Sequence, residues 1–172
     1  MFIGHIPAGY LSTKVLLKVA AKYDLSNDQK KWLLYTGILA SILPDFDMLY
    51  FNFIDNMKHL HHGYWTHIPF FWACIFVVWY ILSFAVRSIP FGLYGYVILI
   101  NIFLHLFLDT IVGKVRWLYP FSAYDVVIFN IPSVYKWWVW NFVFHWTFLF
   151  EIGLVLIAAF FIVRSLRFKN IG

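Results

Sequence analysis

Three long apolar runs constrain the fold of this chain more than any other feature of its sequence. They cover Thr66–Val86, Phe91–Val112 and Trp137–Val163. A helix of about 20 apolar residues spans the hydrocarbon core of a bilayer. Only 12% of the residues are charged, about half the share in a soluble domain, so the chain cannot cover a water-facing surface. The sequence therefore predicts an all-α, polytopic transmembrane helical bundle, with about five helices and three full spans in a single domain over residues 1–172.

Two shorter segments precede these spans. Pro7–Lys22 has helical periodicity with a lysine at every fourth position of one stripe, which predicts an amphipathic helix that either crosses the bilayer or lies at its surface. Trp32–Leu43 is apolar but short for a span, and it ends at Pro44. Ser26, between the two segments, is a predicted helix N-cap.

Basic residues are distributed unequally between the two ends of the predicted helices. Nine lie at one end, and four lie at the end that carries the histidines and aspartates. The positive-inside rule places the richer end in the cytoplasm. We therefore expect an inner (cytoplasmic) membrane protein with a cytoplasmic C-terminus and its polar site on the extracytoplasmic face. The basic residues flank apolar runs, so no nucleic-acid partner is expected. The nine are Lys14, Lys18, Lys22, Lys30, Lys31, Arg87, Arg164, Arg167 and Lys169, and the four are Lys58, Lys114, Arg116 and Lys136.

One predicted helix carries ionisable residues at positions that share a face. Asn101, His105 and Asp109 are spaced at i, i+4 and i+8, so their side chains are neighbours along the helix. Ionisable groups inside a span are costly and usually mark a function. His105 and Asp109 are therefore candidate metal ligands. The alternative is a hydrogen-bonded pair that only fixes packing.

Four histidines lie within nine residues, just before the first long apolar run: His59, His61, His62 and His67. We expect two of them to be metal ligands, with His59 and His61 the bystanders. The alternative is an interfacial loop whose rings only reach toward water.

Two aspartates flank Phe46 at the end of the second segment. Asp45 and Asp47 need a cation or a basic partner if they lie beside a bilayer, although Pro44-Asp45 is also typical of an ordinary turn. The single cysteine, Cys74, excludes a thiolate metal site, so any metal here must use histidine and carboxylate ligands.

Five short motifs follow one another in order along residues 4 to 122. They comprise Gly4-His5, Leu43-Pro44-Asp45-Phe46-Asp47, His62-Gly63-Tyr64-Trp65-Thr66-His67, His105–Asp109 and Trp117-Leu118-Tyr119-Pro120. This ordered set resembles the YdjM-like, LexA-regulated family of membrane-bound metal-dependent hydrolases. One departure is Gly63, where the family has an arginine. If that arginine steadies a phosphate, Lys114 or Arg116 must replace it here.

The resemblance implies a ligand set for a metal cluster. The family's pattern is similar to that of zinc-dependent phospholipases C and single-strand nucleases, which hold zinc with histidine and aspartate. It implies His5, Asp45, Asp47, His62, His67, His105 and Asp109 as ligands. Asp45 or Asp47 would orient or deprotonate the attacking water, and substrate contacts are expected at Lys114, Arg116 and Trp117.

These features together predict a membrane-embedded, zinc-type hydrolase that cleaves a phosphoester of a lipid or lipid-linked substrate. One divalent ion, or two or more, would activate water and shield phosphoryl oxygens. Membrane lipids are the expected partners. The alternative is a non-catalytic metal-binding or metal-transport membrane protein. A haem protein using His105 and His145 would leave the loop histidines and the paired aspartates unexplained.

Overall fold

The computed structural model describes residue 1 and residues 3–59 and 61–169, with side chains as far as residue 167. The side chain of Lys169, counted above among the basic residues, lies outside that range. The regular secondary structure of the described residues is helical, with a lone bridge between Val115 and Val126 and no β-strand. Seven α-helices follow one another in this part of the chain: α1 (His5–Val19), α2 (Asn27–Ala40), α3 (Asp47–Phe53), α4 (Pro69–Val86), α5 (Ile89–Thr110), α6 (Trp138–Val143) and α7 (Phe148–Lys169).

Local sequence signals set the helix ends. Ser26 accepts a hydrogen bond from the Gln29 backbone and receives the Gln29 side chain on its own N–H, so the predicted cap of α2 is a capping box. Pro69 and Pro90 stand in the first turns of α4 and α5, where a missing N–H costs nothing. Arg87 ends α4 in the left-handed conformation, with φ of 47°.

The prediction of an all-helical membrane protein with three long spans is confirmed. Three helices are long and apolar enough to cross a bilayer: α4, α5 and residues Phe148–Arg167 of α7. α2 and the segment Pro44–Phe53 pass the same test as one unit bent by 53°, which would make a fourth. The second segment therefore belongs to a broken helix whose break falls at Pro44.

The predicted continuous run Trp137–Val163 is wrong in one respect, because two helices occupy it. α6 ends at Val143, and α7 begins only at Phe148. Between them His145 Nδ1 lies 2.8 Å from the Thr147 hydroxyl. These two polar side chains satisfy each other locally in a turn. This break, together with the short α3, accounts for seven helices where about five were expected.

Close helix crossings hold α1 inside the bundle. α1 packs against α2, α5 and α7. Gly9 lies against the side chain of Ser41, and Gly37 lies against Thr13, so neither glycine has room for a Cβ. Small residues of this kind let membrane helices approach closely. The amphipathic first helix is therefore a packed member of the bundle.

α5 is the central helix of the described structure. Its Ile102 and Leu106 are fully buried and pack with Ala40 of α2. Next to Ile102 along α5, Asn101 Nδ2 donates to the Thr13 hydroxyl at 3.1 Å, and this bond ties α5 to α1. α4 and α7 instead leave most of their apolar side chains exposed, as helices that face lipid do.

Candidate metal centre

The break after α2 supplies the first element of the site. In an unbroken helix the Ser41 carbonyl would accept from the Asp45 N–H, but Asp45 N–H donates to Ile42 in a tighter 3-10 turn. The Ser41 carbonyl accepts instead from His105 Nδ1 at 2.8 Å. A carbonyl can only accept, so the proton is on Nδ1 and the lone pair on Nε2. The broken helix thus aims His105 Nε2 into the centre.

Asp47 orients His67 in the same way. His67 Nδ1 lies 2.9 Å from Asp47 Oδ2, and the Thr66 hydroxyl donates to the same oxygen. The carboxylate accepts the Nδ1 proton, so His67 Nε2 is the nitrogen that faces the centre. Both imidazoles are therefore held as metal-binding histidines usually are, through the nitrogen that does not face the ion.

Four side chains present ligand atoms around one point: Asp45, His67, His105 and Asp109. His105 Nε2 lies 2.9 Å from Asp109 Oδ2, 3.5 Å from His67 Nε2 and 3.6 Å from Asp45 Oδ1. His67 Nε2 lies 3.5 Å from Asp109 Oδ2 and 3.7 Å from Asp45 Oδ1.

These five separations are close in length to those between the ligand atoms of a four-ligand cation site. A zinc ion about 2.0–2.1 Å from each of four ligands places neighbouring ligand atoms about 3.3 Å apart. The observed separations range from 2.9 to 3.7 Å. Two imidazole nitrogens with two carboxylate oxygens form a donor set that suits zinc and similar divalent ions.

His61 and His62 enlarge the cluster on one side. His61 Nε2 lies 3.2 Å from Asp45 Oδ1, and His62 Nε2 lies 3.6 Å from Asp109 Oδ2. With His67 they form a second group that could hold a metal ion. His61 was not expected to be a metal ligand, but its ring lies in the cluster. Its contact with Asp45 arises only from the folding of the loop, so no sequence spacing indicated it.

His5 closes the other side. Its Nε2 lies 3.0 Å from Asp109 Oδ1, and its ring stacks on His105 with centroids 3.9 Å apart. The Met1 amino group lies 2.5 Å from the same Asp109 oxygen. Glu151 accepts from the backbone N–H groups of Ile3 and Gly4 and so holds the start of α1 against α7.

Unsatisfied polar atoms are concentrated in this cluster. Among the described residues, four buried side-chain atoms lack a hydrogen-bond partner: His5 Nδ1, Asp47 Oδ1, His61 Nδ1 and Asp109 Oδ2. Buried polar groups are normally paired. That all four belong to one cluster supports a binding role for it, because a cation would satisfy Asp109 Oδ2 directly.

The pKa values of two histidines move in opposite directions. Burial lowers the pKa of His62 to about 3. Burial acts in the same direction on His67, but the nearby carboxylates of Asp109, Asp45 and Asp47 outweigh it and raise the pKa of His67 to about 11. A proton on His67 thus balances the surrounding carboxylates. A divalent cation can balance these carboxylates equally, so a proton and a cation compete for His67 Nε2.

Three residues expected to contact substrate lie on the segment after α5. Lys114 is exposed. Arg116 Nε donates to Asp125 at 3.0 Å. The Trp117 indole donates to Thr110 at 2.8 Å and packs against the core under the cluster, so it anchors this segment. A substrate role for the three stays a prediction.

Two other histidines are engaged elsewhere. The exposed His59 bonds to Asp55 through its backbone N–H and its ring. His145 bonds to Thr147 between α6 and α7. Asn141, one turn before His145 in the sequence, accepts from the backbone N–H groups of Val134 and Tyr135 in the preceding loop.

Fold and site together define a helical membrane protein whose buried histidine–aspartate cluster could bind a metal ion. The sequence model of the YdjM inner membrane protein family matches residues 1–171, and the chain belongs to that family. No curated protein and no solved structure matches the chain. The resemblance inferred from the ordered motifs is therefore confirmed at the level of the family.

Proposed function

We propose that this protein is a membrane-embedded, zinc-type hydrolase that cleaves a phosphoester of a lipid or lipid-linked substrate. The observation that carries the proposal is the close grouping of ligand atoms from Asp45, His67, His105 and Asp109, which all lie within 4.8 Å of one another and include five separations of 2.9–3.7 Å. A divalent ion bound there would lower the pKa of a coordinated water and neutralise charge on phosphoryl oxygens.

The exposure of the four candidate ligands favours catalysis over purely structural binding. The side chains of His67, His105 and Asp109 are at most 1% exposed, whereas that of Asp45 is 33% exposed. Catalytic zinc sites keep one coordination position open to water and substrate, while structural sites are closed. Asp45 lies on the solvent-facing side, where water would bind the ion as a fifth ligand and a phosphorylated headgroup would reach the centre.

The two aspartates of the Pro44–Asp47 segment have different tasks. Asp47 Oδ2 is occupied by the Thr66 hydroxyl and His67 Nδ1, so Asp47 positions His67. Asp45 is the more exposed and lies at the open side. We assign Asp45 to binding the ion and to accepting a proton from the attacking water.

Metal transport, the main alternative, is disfavoured by the core beneath the cluster. One turn below His105 on the same face of α5, Asn101 is fully buried and its amide donates to the Thr13 hydroxyl, while Ile102 and Leu106 are buried against α2. An ion that entered on the Asp45 side would meet these packed and already hydrogen-bonded side chains. A non-catalytic metal binder is the remaining alternative.

We also propose that the cluster faces the extracytoplasmic side of the inner membrane. The start of α4, the end of α5 and the start of α7 meet at the cluster through His67, Asp109 and Glu151. Arg87, Arg164 and Arg167 lie toward the opposite ends of these helices. The positive-inside rule places that opposite end in the cytoplasm.

Metal content and lipid hydrolysis, measured on the same preparations, test the enzyme proposal. The purified chain should contain zinc by elemental analysis and release phosphate or a phosphorylated headgroup from at least one of a panel of phospholipids and lipid-linked phosphates. Chelation should abolish this activity, and added Zn2+ should restore it. His105→Ala should lose both properties, whereas His59→Ala, outside the cluster, should retain both.

Two results would overturn this proposal. A wild-type chain without bound metal would remove its basis. A metal-loaded chain that hydrolyses no phosphorylated lipid would favour the non-catalytic binder.

A further inference from the structure

We propose that the cluster holds a second cation on the open side of the buried four-ligand group. His61 and His62 are its nitrogen ligands. Asp45 and Asp109 are carboxylates that face both positions. This inference rests on the proposed function, since it adds a second ion to the same site.

The nitrogen ligands of the second position are already gathered. His61, His62 and His67 offer ligand atoms that lie within 4.8 Å of one another. The ring centroids of His61 and His62 are 4.8 Å apart. His67 Nε2 faces the buried group, so His61 and His62 remain for a second ion and need oxygen ligands to complete its shell.

The two carboxylates lie between the two positions. Asp45 Oδ1 is 3.2 Å from His61 Nε2 and 3.6 Å from His105 Nε2. Asp109 Oδ2 is 3.6 Å from His62 Nε2 and 2.9 Å from His105 Nε2. Each carboxylate thus contacts one histidine of each position, and shared ligands suit ions a few Å apart.

Asp47 supports both positions from behind. Its Oδ2 accepts from His67 Nδ1, and its Oδ1 lies 3.0 Å from His61 Nδ1. Both atoms of this second pair are buried and lack a hydrogen-bond partner. A small rotation of the His61 ring would let Asp47 accept its Nδ1 proton and direct Nε2 to an ion, as it already does for His67.

The two positions differ in their access to solvent. The side chains of His61 and His62 are 20% and 23% exposed, whereas those of His67 and His105 are fully buried. The second ion therefore lies at the mouth of the site and exchanges more readily. In two-metal hydrolysis such a pair holds both the attacking and the leaving oxygen.

Metal stoichiometry of the full chain in detergent tests the second position. Apo protein, prepared with a chelator, is titrated with Zn2+ and then analysed for bound metal, with Co2+ absorption as a spectroscopic check. The wild type should bind about two equivalents, one more weakly. His61→Ala and the more conservative His61→Gln should keep the tight equivalent and weaken the other at least about tenfold. His59→Ala should bind like the wild type, and helicity by circular dichroism should be unchanged in all variants.

The outcomes separate this inference from the proposed function. A wild-type chain that binds one equivalent, or a His61→Ala variant that keeps both at unchanged affinity, would overturn the second position and leave the hydrolase proposal intact. A wild-type chain that binds no metal would overturn both.

Discussion

Gly113 illustrates how a single residue shapes the cluster. Its backbone passes against the His62 ring, and a Cβ at this position would overlap His62 Cε1 and Nδ1. Gly113 also donates its N–H to the Asp109 carbonyl at 2.6 Å, so it cannot move away without loosening the end of α5. Because residue 113 has no side chain, the His62 ring can occupy the space beside it.

Gly113→Ala should displace His62 and reduce lipid hydrolysis by roughly tenfold or more, because ligand positions must hold to a fraction of an ångström. Gly63→Ala is the matched control: its Cβ meets no atom within 4 Å, so activity should be unchanged. Hydrolysis rates at saturating Zn2+ measure both effects. Equal rates for the two variants would show that His62 does not need this space.

Zinc binding should weaken as the pH falls. The raised pKa of His67, about 11, means that its ring is protonated at neutral pH and that the cation must displace this proton. For each proton displaced, zinc affinity should fall about tenfold for every unit by which the pH is lowered between about pH 8 and about pH 6. Calorimetry in buffers of different ionisation enthalpy counts the protons released. Binding without proton release would contradict this reading of His67.

At the level of helices, breaks and buried contacts between helices place the ligands. The interruption of α2 frees the Ser41 carbonyl for His105. Irregular backbone at membrane depth is tolerated where it is buried in protein or lines a cavity, and here it lies beside the cluster.

Glu151 links α7 to the start of α1 and thereby positions His5. It is 3% exposed, and its Oε2 accepts from the Ile3 and Gly4 N–H groups at 2.6 and 2.9 Å. A carboxylate there also complements the positive end of the α1 dipole.

Glu151→Leu should destabilise the protein and weaken zinc binding together. Each buried N–H left unpaired costs about 1–3 kcal/mol. Glu151→Gln keeps a hydrogen-bond acceptor, so its stability and zinc affinity should lie between those of Glu151→Leu and the wild type. Gly153→Ala on the same helix, where a Cβ meets no atom within 4 Å, is the control. Thermal unfolding in detergent and zinc affinity are the measurements. Unchanged zinc affinity in a folded Glu151→Leu variant would show that zinc binding does not depend on the position of His5.

The whole molecule is organised as a bundle with one polar end. Exposed apolar side chains on α4 and α7 provide the lipid-facing surface. The histidines and aspartates of the cluster meet at one end, and Arg87, Arg164 and Arg167 lie toward the other.

Reporter fusions test the orientation of this bundle. A reporter at the C-terminus or after Arg87 should be active as a cytoplasmic fusion, and one in the Gly113–Lys136 loop as an extracytoplasmic fusion. Paired reporters that function on opposite sides of the membrane measure this directly. A translocated C-terminus would place the cluster on the cytoplasmic side and reverse the proposed topology.

The sequence by itself determined the class of fold and the chemistry of the candidate ligands. Apolar runs such as Phe91–Val112 impose membrane helices because a bilayer offers no partner for an unpaired backbone group. The i, i+4 spacing of His105 and Asp109 follows from helix geometry alone. The helix breaks were less predictable, because the run Trp137–Val163 is apolar on both sides of the turn at His145–Thr147.

Tertiary structure alone decided which residues meet. His61 joins the cluster and His59 does not, although they lie two residues apart, because the loop fold turns one ring toward Asp45 and the other toward Asp55. The separate tasks of Asp45 and Asp47 depend likewise on which carboxylate the Thr66 hydroxyl and His67 reach. Such contacts join residues from different elements. They depend on how the helices pack, and the periodicity of any one segment carries no information about that packing.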